Sequence, residues 1–95
     1  MKVEDQHKNE LIRRCENGDR SAQFAIYKQY YNAMYNTAFR IVNDSFEAED
    51  IMQESFITAF NKLGTLKEAS MFGSWLKRIV INNSISQFNK SKQSW

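Results

Sequence analysis

The chain is expected to be all-α, a compact bundle of about four helices. Three observations carry that expectation. Proline is absent and glycine occurs only three times in 95 residues, so few positions interrupt a helix. Apolar residues recur every three or four positions in each long segment, the period of a buried helix face and not of a strand. Cap and stop residues at Asn17-Gly18, at Asn43-Asp44 and across residues 64–70 then separate the helical segments. Ninety-five residues make one small domain, near the lower end of what a single core sustains, with seven Phe, four Tyr and two Trp as its bulk.

Residues 1–3 read as a loose terminus. Glu4 or Asp5 begins a first helix ending near Asn17-Gly18, with Leu11, Ile12 and Cys15 as a modest apolar stripe that packs weakly. His7, among Gln6, Lys8 and Asn9, reads as a solvated side chain with no second histidine to share a metal. Cys15 has no partner for an internal disulfide and no CxxC or histidine neighbour, so it reads as a small packing residue. Asp19 or Ser21 caps the second helix, which runs to about Ile41-Val42. Phe24, Tyr27, Tyr31, Met34, Ala38 and Ile41 form its core stripe, with Tyr30 and Tyr35 beside it and part-exposed.

The third helix spans residues 44–63. Asp44 at the cap and Glu47 three residues on have capping-box spacing, and Gly64 offers a left-handed stop. Ala48, Ile51 or Met52, Ser55 or Phe56, Ala59 and Leu63 form the buried face, which leaves Glu49, Asp50, Gln53 and Glu54 toward water. Ser70 closes the connection and is placed to cap a fourth helix. Its inward positions are Phe72, Trp75 or Leu76, Ile79, Asn83 and Ser86 or Gln87, and the apolar face weakens after Ile85. Residues 89–95 read as a fraying helix end or the start of a linker.

Charge is unevenly spread. Residues 1–45 carry seven Lys/Arg against six Asp/Glu, residues 46–63 one against four, and residues 64–95 five against one. An acidic element followed by a basic, aromatic one points to two partners, because phosphates are drawn to one surface and repelled by the other. Lys77, Arg78, Asn82, Asn83, Gln87, Lys90 and Lys92 supply cations and amides suited to phosphates and base edges. Trp75 is read as core. Glu49, Asp50 and Glu54 share an exposed face with no histidine, nucleophile, metal-ligand pair or glycine-rich phosphate loop, so an enzyme is not expected, nor a cofactor. The absence of an apolar run of signal-peptide or transmembrane length makes a cytoplasmic protein without membrane insertion the expectation.

The segment Glu47-Ala48-Glu49-Asp50-Ile51-Met52-Gln53-Glu54-Ser55-Phe56 resembles the D-A-E-D-hydrophobic-hydrophobic-Q-E-[ST]-F signature of bacterial sigma factors of the extracytoplasmic-function (ECF) group. Upstream, Phe24-Ala25-Ile26-Tyr27-Lys28-Gln29-Tyr30-Tyr31 with Met34-Tyr35 resembles the family's F-x-x-L-Y-x-x-Y-Y-x-x-L-Y helix. Downstream, Phe72-Gly73-Ser74-Trp75-Leu76-Lys77-Arg78-Ile79-Val80-Ile81-Asn82 resembles its F-R-T-W-L-Y-R-I-A-x-N helix. The resemblance covers about residues 20–90, preceded by an N-terminal helix at 1–19 and followed by a linker start at 91–95.

The resemblance implies region 2 of a sigma factor, a helical bundle that docks on the clamp helices of the RNA polymerase β′ subunit and reads the minus-ten promoter element as it melts. Glu49, Asp50, Gln53 and Glu54 match the polymerase-facing positions. The loop at residues 66–71 and the start of helix four match the loop that takes one extruded base of the non-template strand, which implicates Lys67, Ser70, Met71 and Ser74. Lys77, Arg78, Asn82 and Asn83 match the helix face that follows the strand. An anti-sigma factor covering the clamp-binding face is a further implied partner.

The chain departs from the family in two ways. Ser86-Gln87-Phe88-Asn89-Lys90 replaces a run that often has Asp and denser Arg, and Gly73-Ser74 replaces a common Arg-Thr, which implies modest phosphate affinity carried partly by Lys67 and Lys92. A complete member continues into a second domain with a helix-turn-helix, so the expectation is an isolated region-2 piece lacking region 4. The rival from another class is a non-enzymatic protein–protein adaptor whose acidic helix is its docking element.

Overall fold

The computed structural model describes residues 3–93, with side chains described for residues 9–91. The loose start expected at residues 1–3, the linker expected at 91–95 and the side chains of His7 and Lys92 therefore lie wholly or partly outside the described residues. Four α-helices follow in order, α1 (Val3–Glu16), α2 (Arg20–Val42), α3 (Ser45–Asn61) and α4 (Phe72–Gln93), with short 3-10 turns at Leu63–Thr65 and Ala69–Met71. Among the described residues there is no strand, and the expected all-α bundle is the fold found.

Local chemistry explains where the helices stop. Gly18 takes φ 86°, the left-handed conformation in which a side chain is strained. There its N–H donates to the Cys15 carbonyl at 3.1 Å and the Asp19 N–H to that of Arg14 at 2.9 Å, the paired bonds of a Schellman stop. Asp19, not Ser21, then caps α2 by accepting from the Ala22 N–H at 3.2 Å. Its other carboxylate oxygen accepts from Arg14 Nε at 2.9 Å. Gln23 Nε2 donates to the Cys15 carbonyl at 3.1 Å, so α1 is tied down from two sides. Asn43 ends α2 at φ 55°, and Asp44 caps α3 by accepting from the Glu47 N–H at 2.9 Å.

Three local expectations are corrected. α3 ends at Asn61, where the Lys62 N–H donates to the Thr58 and Ala59 carbonyls, and Gly64 sits inside a 3-10 turn without a left-handed φ, held by i→i+3 bonds from Thr65 to Lys62 and from Leu66 to Leu63. Glu47 does not reach back to its cap. Its Oε1 accepts from Gln87 Nε2 at 3.3 Å and Ser91 Oγ at 3.5 Å, joining the start of α3 to the end of α4. Ser70 lies within the second 3-10 turn, and α4 starts only at Phe72.

The core draws on every helix. Ile12 and Cys15 come from α1, Ala22, Ile26, Met34 and Ala38 from α2, Ala48, Ile51, Met52, Phe56 and Ala59 from α3, and Phe72, Leu76 and Val80 from α4. α1 is thus part of the packed bundle and not a loosely held lead. On α2 the inward ladder runs in steps of four, Ala22-Ile26-Tyr30-Met34-Ala38, while Tyr27 and Tyr31 are half-buried at its edge. Phe24, expected inside, is 61 % exposed. It lies two residues from Ile26, about 200° round the helix, on the opposite side. α3 folds back along α2 through the two-residue turn, and α4 runs antiparallel to α3, as the pairs Glu47–Gln87 and Ser55–Asn83 require.

Candidate functional site

The acidic face follows from what α3 buries. With Ala48, Ile51, Met52, Ser55, Phe56 and Ala59 inward, Glu49, Asp50, Gln53 and Glu54 are all exposed. Gln53 Nε2 donates weakly to Glu49 Oε1 at 3.5 Å. Among the described residues, none of the three carboxylates has an ion-pair partner, the one ion pair being Arg14–Asp19. The neighbouring wall is Tyr27 of α2, packed edge-on to Phe56 at 4.8 Å and to Tyr31 at 5.5 Å. Burial, then the Tyr31 phenol, push the Tyr27 phenol above its ordinary value, with a hydrogen bond from Gln53 opposing and Glu49 adding to the rise.

Beside that face opens a hollow of about 580 Å³ between α2 and α3, whose apolar walls are Phe24, Tyr27, Ile57 and Phe60. Ile57, like Phe24, is 61 % exposed, and Lys28 Nζ sits 5.3 Å from the centre of the Phe24 ring. Gln53 belongs to both the acidic face and the hollow. Sequence reasoning missed Ile57 and Phe60. The available signal was that both are large apolar residues lying off the inward stripe of α3.

The candidate DNA residues lie on the connection and on α4. Lys67, Ser70, Met71, Ser74, Lys77, Arg78 and Asn82 are exposed. Ser74, Arg78 and Asn82 stand four apart and so form one row along the helix, with Lys77 beside it. Ser74 Oγ donates to the Met71 carbonyl at 3.1 Å, which ties the second 3-10 turn to the first turn of α4. Phe72 is fully buried under Tyr30, ring centres 5.3 Å apart, and Trp75 leans on Phe72 at 6.0 Å, half-buried. A Cβ on Gly73 would stand 3.3 Å from the Tyr30 ring, so its lack of a side chain lets this turn approach α2. Asn83 stands apart from the row: it is half-buried, and its Nδ2 donates to Ser55 Oγ at 3.0 Å.

Between α1 and the two 3-10 turns lies a second hollow, of about 970 Å³. Cys15 is buried and its thiol is pushed up to about 11 by that burial, which leaves it protonated at neutral pH. The described residues hold no group of three His, Cys, Asp or Glu that could bind a metal ion. Among them no helix is long and apolar enough to cross a membrane.

The family model for sigma-70 region 2 matches residues 26–94, well over half of the chain. The chain belongs to the sigma-70 region 2 family. Sigma region 2 here is similar to the RNA polymerase sigma-H factor of Pseudomonas aeruginosa, 36 % identical over 75 residues, which cover 79 % of this chain and 39 % of that protein. It is also similar to the ECF RNA polymerase sigma factor SigW of Bacillus subtilis, 32 % identical over 84 residues, covering 88 % and 45 % respectively. With the ECF factor BldN of Streptomyces coelicolor it shares 31 % over 84 residues, or 87 % of this chain and 32 % of that one. The chain therefore spans less than half the length of these relatives, and its affinity is with the ECF group. Sigma factors initiate transcription without enzymatic activity of their own. No solved structure gives a significant match.

Proposed function

We propose that this domain serves RNA polymerase as an ECF sigma factor region 2 in the cytoplasm, docking on the β′ clamp helices and holding the non-template strand of the minus-ten element as the promoter melts. The observation that carries this reading is the outward acidic face of α3. Glu49, Asp50 and Glu54 are exposed and, among the described residues, have no ion-pair partner, as a surface reserved for an external cation should be. Basic side chains on the clamp helices would give charge-assisted hydrogen bonds there, and Gln53 would add a neutral one. An anti-sigma factor that covers the same face would compete with polymerase.

The strand belongs on the other surface. Arg78, Lys77 and Asn82 track its phosphates, while Lys67, Ser70, Met71 and Ser74 flank the base that leaves the stack. Asn83 reaches the strand only indirectly, through the α3–α4 contact that it holds. Extruding one base costs a few kcal/mol, which contacts around that base and backbone charge must offset.

Binding to an isolated β′ clamp-helix fragment tests the docking half. Wild type should bind, with affinity that falls as salt rises, and Asp50→Lys or Glu54→Lys should abolish binding while the helical spectrum is retained. A folded wild type that ignores the fragment would remove the docking assignment and favour the adaptor reading.

A further inference from the structure

The larger hollow has α1 as its second wall. Asn9, Arg13 and Glu16 fall at steps of three and four, so one side of α1 is turned toward the 3-10 turns at 63–65 and 69–71. Its floor is apolar, formed by Ile12, Leu63, Leu66 and Ala69. At about 970 Å³ it is at the upper end of small-ligand pockets. Ser70 lines it and stands four residues before Ser74, at the N-terminal end of the row Ser74, Arg78 and Asn82.

Charge decides what enters. Three carboxylates, Glu10, Glu16 and Glu68, face two cations, Arg13 and Lys67, so the hollow is unsuited to a phosphate. A flat, uncharged heterocycle fits better, because apolar side chains can hold its faces and polar ones its edge. The sigma-70 region 2 match begins at residue 26, so α1 lies outside it and the match assigns α1 no task.

We propose that α1 forms one wall of the pocket for the extruded base, and that Asn9 and Arg13 read the base edge while the apolar floor of Ile12, Leu63, Leu66 and Ala69 packs against one of its faces. This rests on the strand-binding half of the proposed function. It makes α1 a specificity element as well as a packing one. Asn9 is half-buried and Arg13 exposed, and neither belongs to the buried core, so both can be changed without opening it.

The test uses the full chain and a randomised pool of single-stranded DNA octamers. The sequence best bound by wild type is remade with an abasic site at each position, and the position whose base loss costs most affinity is taken as the extruded one. All four bases and the abasic site are then compared there for wild type, Asn9→Ala/Arg13→Ala and Lys77→Ala. Wild type should prefer one base by about tenfold or more, and the α1 double variant should compress this to within about threefold while binding the abasic strand as wild type does. Lys77→Ala should weaken every strand by one common factor. A double variant that keeps the wild-type preference, or that weakens all strands including the abasic one alike, overturns the α1 assignment and leaves strand binding intact. Wild type with no preference among octamers overturns both, and does so before any variant is made. Arg13→Ala alone repeats the comparison if the double variant loses its helical spectrum.

Discussion

Asn82 and Asn83 are adjacent on α4 and meet different surroundings. Asn83 donates to the fully buried Ser55 hydroxyl, whereas Asn82 is exposed. Asn83→Ala should lower stability by about 1–3 kcal/mol, since it strands a buried hydroxyl without its donor. Asn82→Ala should leave the melting temperature within error, and in the proposed role should weaken strand binding. Thermal melts of both variants separate the two tasks. A second residue-scale outcome concerns Asp19, whose carboxyl is held below its ordinary value of 3.8 first by the Arg14 guanidinium and then by the Ala22 N–H. A lowered folded value means the stabilisation is present above that ordinary value and is lost as pH falls through the folded one. Asn can still cap α2, so Asp19→Asn should cost a little stability at neutral pH, with the gap from wild type closing in acid. Parallel melts from neutral pH to about pH 2 would show it. Cys15 titrates in the opposite sense. Its raised value means that stability falls as pH climbs from the ordinary 9.0 toward about 11, and a thiol reagent at neutral pH should label it only as fast as the bundle opens.

At the scale of elements, the stops of α1 and α3 invite opposite substitutions. Gly18 is left-handed, so Gly18→Ala should destabilise by about 1 kcal/mol. Gly64 has no such φ, and a Cβ there would meet Glu16 Oε2 at an ordinary 3.7 Å. Gly64→Ala should therefore be neutral or stabilise by about 0.4–1 kcal/mol through the unfolded chain's lost freedom. Urea titrations of the pair check this, and the reverse order would mean that Gly64 and not Gly18 holds the left-handed conformation. The turn between α2 and α3 is held differently, by Asn43 in the left-handed region and Asp44 at the cap. Asp44→Ala should cost about 1 kcal/mol while leaving the acidic face otherwise in place.

For the whole molecule, the proposed partners use separate surfaces, the acidic face of α3 and the row along α4. Asp50→Lys should therefore leave affinity for single-stranded DNA nearly unchanged apart from a slight general electrostatic gain. Arg78→Ala should reduce the slope of log affinity against log salt for DNA by about 0.7 to 1, and should not touch clamp-helix binding. Fluorescence titrations of both variants against both partners at several salt concentrations give the matrix. A variant that lowered both affinities equally would show that the surfaces are coupled.

Much of this was legible beforehand. Helix count, the Asp44 cap, a cap for α2 at Asp19 or Ser21, the Gly18 stop and the acidic face all follow from chemistry within one turn of helix, which neighbours in sequence determine. The motifs at 24–35, 47–56 and 72–82 placed the chain in its family for the same reason, since each lies on a single helix. What escaped depends on packing between helices. Phe24 and Ile57 become exposed because α2 and α3 meet along ladders centred on Ile26 and Met52, and a helix of mixed residues has more than one plausible apolar stripe. Glu47 leaves its cap for Gln87, and Asn83 takes Ser55, because partners 40 and 28 residues away come within reach only when α4 lies on α3. Likewise, the sequence by itself determined that α1 is a helix with a modest apolar stripe. Only the tertiary structure decided that it closes a hollow against the 3-10 turns, since that wall exists only where segments more than 40 residues apart are brought together by the shared core.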